Sequence, residues 1–448
     1  MEGSDDGNGA ADVIVLGFIA APLLAALALV GQPRSTGRWA LAVVVVEVAL
    51  LVVGLVGGVT WLVSQTVVVL GTELALRPAG ILALAIAAMV TLVAVAAIQE
   101  EAAPSGLATS AVLGLAGVGL VGATSGSTVA AALAMIVVVA ALSIAFSGDV
   151  LPHTARPPVQ RFVIWLALGV TALLLAGVLD RFYLHRPGPG VLGPEAALFV
   201  VGVGITLASL PLSFWLPALA FEAPIGAGLA VGLLGAGTLS ILAGNVAGSP
   251  WLLGDASARA VVVDAGAIAG LVSALLALGE RHPSRVIAFL ISASANLSLA
   301  ELATAVPADP TGVILLIGAQ SLAGALALIA LGAAKAPVSG LFRRRPALTL
   351  GLGVASLSLV GLPLTAGSLG RSVAAPNLVG QHLLFLVTVT LTGIIGGLAV
   401  ARALGPIFDA SSAAPEPWRP LDLAALGVAV ILVASAIVPG PLLALLAS

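Results

Sequence analysis

Cysteine is absent from the 448 residues, lysine occurs once (Lys335), and charged side chains of all kinds make up only 8%. Without thiols the chain cannot form disulfides, thiolate metal sites or iron–sulfur clusters. An iron–sulfur cluster is therefore excluded from this chain, and any flavin, iron–sulfur or quinone chemistry is expected on partner chains. Ordinary globular domains are roughly 25% charged, and a soluble fold of this length could not cover its surface with so few charges. The four histidines, His153, His185, His282 and His382, are scattered and form no metal-ligand spacing. A net charge of −3 is too small to argue for nucleic acid or a strongly charged partner.

What is present is apolar. Hydrophobic residues account for 60% of the chain, in runs long enough to span roughly 30 Å at about 1.5 Å per residue. These runs fall near 13–31, 39–64, 79–98, 105–123, 128–147, 160–180, 194–219, 223–243, 259–279, 284–305, 311–334, 346–370, 380–404 and 421–446. The expected fold is an all-α polytopic membrane protein of about fourteen transmembrane helices, with the bilayer as its first partner. Residues 1–12 are Gly-rich and acidic with no basic n-region, which predicts a short extramembrane N-terminus and not a cleaved signal peptide. Connections after odd-numbered spans carry twelve basic residues, among them Arg281, Arg285, Arg343, Arg344, Arg345, Arg402 and Arg419. The opposite side carries five: Arg77, Arg181, Arg186, Arg259 and Arg371. The basic side should face the cytoplasm, with both termini on the non-cytoplasmic side.

One motif occurs twice. Leu210-Pro211-Leu212 is followed by Ala223-Pro224, and Leu362-Pro363-Leu364 by Ala375-Pro376, with the same thirteen-residue spacing between prolines. The copies lie in the seventh and twelfth spans, five spans apart, and an odd step turns one copy over relative to the other. That pattern predicts two inverted five-helix repeats with broken helices 7 and 12, over 105–243 and 259–404. Flanking them are helices 1–3 (13–98) and a loop with a C-terminal helix (405–448). Proline removes an intrahelical bond, and carbonyls freed in hydrocarbon must face protein or water. Helix breaks are expected at Pro211, Pro217 and Pro363.

These segments resemble those of the antiporter-like membrane subunits of respiratory complex I, membrane-bound hydrogenases and multi-subunit cation/proton antiporters. Pro211-Leu-Ser-Phe-Trp215-Leu-Pro217 with Glu222-Ala-Pro224 is similar to that family's P-F-H-x-W-L-P-D…A-P. Ser284-Arg285 through Ser292 is similar to K-R-L-L-A-Y-S-S-I. Gly340 to Pro346 and Gly361 to Arg371 are similar to G-L-x-R-R-x-P and G-L-P-P-L-A-G-F-x-G-K. Order and spacing agree over roughly residues 80–405. The resemblance implies a membrane subunit of a redox-linked NADH:quinone oxidoreductase- or hydrogenase-like complex in the bacterial inner membrane. Other membrane subunits would be its partners, and it would carry no catalytic site of its own. A stand-alone inverted-repeat transporter for a small solute or ion is the alternative.

In that family buried lysines and a glutamate carry protons. Here the corresponding positions hold Thr206, Ala236 or Gly237, and Ala323, and Ala131 to Ser143 contains no glutamate. The family's histidines become Ser213 and Ser294. Proton translocation is therefore expected to be weakened, rerouted or lost. The remaining polar residues leave two readings open. Thr206, Ser209, Ser294, Asn296, Gln320 and Ser321 either line a hydrated seam or glue helices together. Glu47 is either on an ion path or a protonated or partner-facing acid. Asp264 and Glu301, near helix ends, are headgroup-solvated or functional. Arg371 occupies a family lysine position or snorkels to the surface, and His382 is interfacial or a relay. Gly202-Val-Gly204 reads as close helix packing, not a phosphate loop.

Overall fold

The computed structural model describes residues 66–69, 72–75, 77–101, 105–147, 156–182, 193–246, 256–304, 310–334, 338–378, 383–409 and 415–447, with the isolated positions 22, 24 and 42. Apart from those three positions the first two predicted spans lie outside these residues, as do Glu47 and His382. An antiparallel strand pair comes first, β1 (Thr66–Val69) with β2 (Thr72–Ala75). It lies in the connection between the second and third predicted spans, where a β-branched Thr-Val-Val-Val run suits a short strand, and the spans expected to be helical are helical among the described residues. Helices follow: α1 (Pro78–Glu101), α2 (Ser105–Ala123), α3 (Thr128–Ser147), α4 (Arg156–Phe182), α5 (Pro194–Thr206), α6 (Trp215–Glu222), α7 (Pro224–Val246) and α8 (Ala256–Gly279). Then come α9 (Pro283–Thr304), α10 (Thr311–Ala333), α11 (Leu341–Arg344), α12 (Pro346–Val360), α13 (Ala366–Leu378), α14 (Leu383–Leu404), α15 (Pro420–Ile437) and α16 (Gly440–Ala447).

Ten described helices are long and apolar enough to cross a membrane. Two predicted spans are interrupted. The seventh divides into α5 and α6, and the twelfth into α12 and α13. The last apolar run also divides, into α15 and α16, where an uninterrupted span was expected. Pro439 and Pro441 flank Gly440 there, and a proline in a helix interior deletes a backbone bond and clashes with the preceding turn. Pro217 is not a break, as expected from sequence, but lies in the first turn of α6, where a missing N–H costs nothing.

The centre of the molecule is the pair α7 and α10, both wholly buried. Lipid tails are as apolar as leucine, so burial in a membrane is driven by close packing more than by the hydrophobic effect. Small residues make that approach possible. A Cβ on Gly228 would lie 2.8 Å from the Ala325 carbonyl oxygen, and one on Gly235 would collide with Ser321. The contacts run antiparallel, with Gly332 against Ile225 at one end and Gly318 against Leu239 at the other. Around this pair stand α1, α9, α12 and α13 against α10, and α1, α2 and α3 against α7.

The two ends of the bundle differ in charge. At one end His282 meets Phe221 (ring centroids 4.7 Å), Arg402 Nη1 donates to the Leu278 carbonyl (2.6 Å), and the Glu416 N–H donates to the Arg344 carbonyl (2.9 Å). Seven of the predicted odd-loop arginines gather here. Arg345 is buried in an ion pair with Asp422 (3.0 Å), whose other oxygen accepts the Arg419 N–H at the start of α15 (2.9 Å). At the other end Arg77 lies 3.5 Å from the Gly244 carbonyl oxygen.

Candidate functional site

The site is built from the two interruptions and the helices that run between them. At the first, α5 stops after Thr206 because Ala208 turns into the left-handed region (φ 61) and Pro211 has no N–H to continue the ladder. The freed carbonyls find donors. Gly204 accepts the Ser209 N–H (2.7 Å) and Ile205 accepts the Trp215 indole N–H (3.3 Å). Leu207 accepts Nε2 of Gln320 on α10 (3.3 Å). Trp215 is fully buried and held by Phe162 of α4 (5.1 Å between centroids), which in turn meets Phe146 of α3 (5.3 Å). Thr206 receives a hydrogen bond from Thr238 of α7 (2.9 Å) while its own hydroxyl reaches the Gly202 and Val203 carbonyls (3.1 and 3.0 Å). Oε1 of Gln320 is buried and accepts no hydrogen bond among the described residues.

The second interruption solves the same problem with a charge. Gly361 is left-handed (φ 76), and its N–H and that of Leu362 return to the Ser358 and Leu357 carbonyls (both 3.0 Å). This is the Schellman pairing, and it satisfies two of the last four carbonyls of α12. The other two, Leu359 and Val360, accept Nη2 and Nη1 of Arg371 on α13 (3.3 and 2.6 Å). A cation at a helix C-terminus also complements the negative end of the dipole. Ser358 Oγ accepts the Gly367 N–H (3.1 Å), joining the two halves of the span directly.

Helices α9 and α10 connect the interruptions. Leu316 of α10, one turn from Gln320, packs its backbone against Gly370, beside Arg371. On α9, Glu301 is buried (2% exposed) within electrostatic reach of Arg371. Ser294, Ser298 and Glu301 follow Ile291 at helical spacing, and Ile291 packs against Gly324 of α10. The Ser298 hydroxyl donates to the Ser294 carbonyl (3.0 Å). Asn296 leaves this face, donating to Ser273 Oγ of α8 (3.4 Å) and to the Ser292 carbonyl (2.8 Å).

Of the residues singled out by sequence, Thr206, Ser209 and Gln320 thus meet at the first interruption and Glu301 and Arg371 at the second, with Ser294 between. Asp264 is half-exposed on α8 and enters neither group. Two readings are corrected. Glu301 is not solvated by headgroups: its helix packs against the interior there. Arg371 does not snorkel, because its guanidinium is engaged by the ends of α12. Sequence reasoning missed Thr238, the Trp215 indole, Ser298 and Ser358. Thr238 was within reach, one residue beyond the Ala236-Gly237 position already marked. Among the described residues no group of three or more His, Asp or Glu side chains could hold a metal. Among the described residues singled out by sequence, the titratable side chains of this seam are the Glu301 carboxylate and the Arg371 guanidinium, within electrostatic reach of each other.

Comparison with known proteins found no matching protein-family model. The chain is 30% identical over 290 residues to NADH-quinone oxidoreductase subunit 14 of Thermus thermophilus, covering 62% of this chain and 64% of that protein, a little under two thirds of its length. Its fold is similar to a chain of the Mrp complex from Dietzia sp. (TM-score 0.78, 19% identity, 98% of this chain and 96% of the other). It is likewise similar to a chain of the membrane-bound sulfane sulfur reductase, an archaeal respiratory membrane complex (TM-score 0.80, 15% identity, 97% and 96%).

Proposed function

We propose that the chain is a member of the antiporter-like membrane subunit family found in complex I and related assemblies, and that it is a non-catalytic membrane subunit of a multi-subunit, redox-linked complex. On this reading it has fourteen spans, two inverted five-helix repeats over 105–243 and 259–404, and both termini on the non-cytoplasmic side of the bacterial inner membrane. The repeated interruption after Thr206 and after Val360, and the gathering of arginines at one end, support that plan. Flavin, iron–sulfur and quinone chemistry would reside on partner chains.

The observation that carries the functional reading is how the interruptions are held. A proton relay through buried side chains needs groups whose protonation changes in place, such as a desolvated lysine. The first interruption is held by an amide, an indole and two threonine hydroxyls, none of which ionises near neutral pH. The second is held by an arginine, which stays protonated in proteins. Translocation through this chain is accordingly weakened, rerouted through hydroxyls and water, or lost, while the scaffold persists.

Purification from native membranes in mild detergent tests the assignment. Co-purification with quinone-reactive or iron–sulfur subunits is expected. A monodisperse single chain that transports a solute in liposomes would instead establish the stand-alone transporter.

A further inference from the structure

Helices α8 and α14 pack side by side and turn an apolar face outward. On α8 it includes Ile268, Val272 and Leu275 (52, 39 and 50% exposed), and on α14 Leu391, Ile394 and Leu398 (40, 57 and 57%). Branched aliphatic side chains dominate this surface, with Ala265, Thr390 and Ala401 exposed among them, whereas helix–helix contacts in membranes favour small and polar residues. Asp264, the acid on α8, lies in the other half of that helix.

The basic end of this face has a different character. The α14 stripe continues from Ile394 and Leu398 to Arg402, which is exposed, and Arg402 Nη1 binds the Leu278 carbonyl at the last turn of α8 (2.6 Å). Three residues further on is Arg281, also exposed. The nearby acid Glu280 is otherwise occupied. It accepts the Arg281 and His282 N–H groups (3.0 and 3.5 Å) and pairs with Arg285 (3.7 Å), whose guanidinium lies over the Phe221 ring (4.6 Å). Among the described residues no carboxylate bonds the side chain of Arg281 or Arg402. Gly279 and Gly405, next to these arginines, have open space where a side chain would stand.

We propose that this face binds an anionic phospholipid, with the phosphate held by Arg281 and Arg402 over Gly279 and the acyl chains lying along the α8 and α14 stripes. Eleven residues separate Ile268 from Gly279, about 16 Å of helix, which matches one leaflet of a core roughly 30 Å thick. Two cations without a carboxylate partner complement a phosphodiester, and fixed arginines at the cytoplasmic edge of membrane helices are suited to acidic headgroups.

The test uses the full-length protein purified with the partners it retains, its melting temperature followed while phosphatidylglycerol is titrated into zwitterionic micelles. Phosphatidylglycerol should raise the melting temperature, whereas phosphatidylcholine and glycerol 3-phosphate should not. Each single Arg→Gln change should weaken half-saturation about fivefold, and Arg281→Gln with Arg402→Gln about thirtyfold. Arg281→Lys with Arg402→Lys should stay close to wild type, and Gly279→Leu should weaken binding with both arginines in place. Equal titration of wild type and Gly279→Leu would overturn the proposal even if the glutamine pair fails to fold. So would a response to glycerol 3-phosphate equal to that of the lipid, or capture of a protein subunit instead of lipid by a photo-crosslinker at Leu398.

Discussion

Arg371 illustrates how one side chain completes a backbone account. Two of the four terminal carbonyls of α12 return to the turn at Gly361, and the guanidinium takes the remaining two while facing Glu301. Arg371→Met should therefore strand two carbonyls and remove the cation within reach of Glu301, at a cost of about 3 kcal/mol, seen as a lower melting temperature in detergent. Glu301→Gln should cost less, and the double variant should cost less than the sum of the two; strict additivity would show that they do not interact. A second residue-scale prediction concerns Glu280, outside the spans. Partial burial opposes its ionisation, but the Arg281 and His282 N–H groups and the charge of Arg285 outweigh it and hold the carboxyl below its usual range. A depressed carboxyl stabilises the folded state above the unfolded pKa, and that contribution is lost as pH falls through the folded value. Glu280→Gln should therefore narrow the difference in stability between neutral and acidic pH, modestly and less so in high salt.

Elements in this protein are joined by a few specific devices. Glycines let α7 and α10 approach until Gly235 meets Ser321 and Gly228 meets the Ala325 backbone. The Arg345–Asp422 pair fixes the start of α12 to the start of α15, and Asp422 also caps α15 through the Arg419 N–H. Both side chains of the pair are 4% exposed, so removing one partner leaves a buried charge. Arg345→Met is expected to cost about 3–5 kcal/mol. Arg345→Met with Asp422→Leu should recover most of that and fall short by about 1 kcal/mol for the lost cap. Urea titrations in mixed micelles would distinguish these outcomes. Failure of the double variant to recover would mean that the pair's contribution is not electrostatic.

At the scale of the whole molecule, the seam from Thr206 and Thr238 through Gln320 to Glu301 and Arg371 is polar but nearly without titratable groups. The purified chain in liposomes is expected to collapse an imposed pH gradient no faster than protein-free liposomes, read by a pH-sensitive dye. Rapid collapse would show that hydroxyls and water suffice for conduction. Much of this architecture was legible beforehand. The apolar runs and the paired Leu-Pro-Leu motifs located the described spans and the interruptions after Thr206 and Val360, and the parity of basic loops grouped the arginines that now lie at one end. The burial of Glu301 was not legible, because a carboxylate three residues from a helix end looks the same whether lipid headgroups or another helix lie beside it.

The sequence alone located the described apolar helices and the two Leu-Pro-Leu breaks, since run length and the missing proline N–H are local properties. Only the tertiary structure decided what holds the breaks. The donor to Leu207 is 113 residues away, and polar side chains of similar chemistry elsewhere in the chain could have filled the same role. Which one does so depends on the antiparallel register of α9 and α10 against their neighbours, set by close packing over many residues and carried by no single motif.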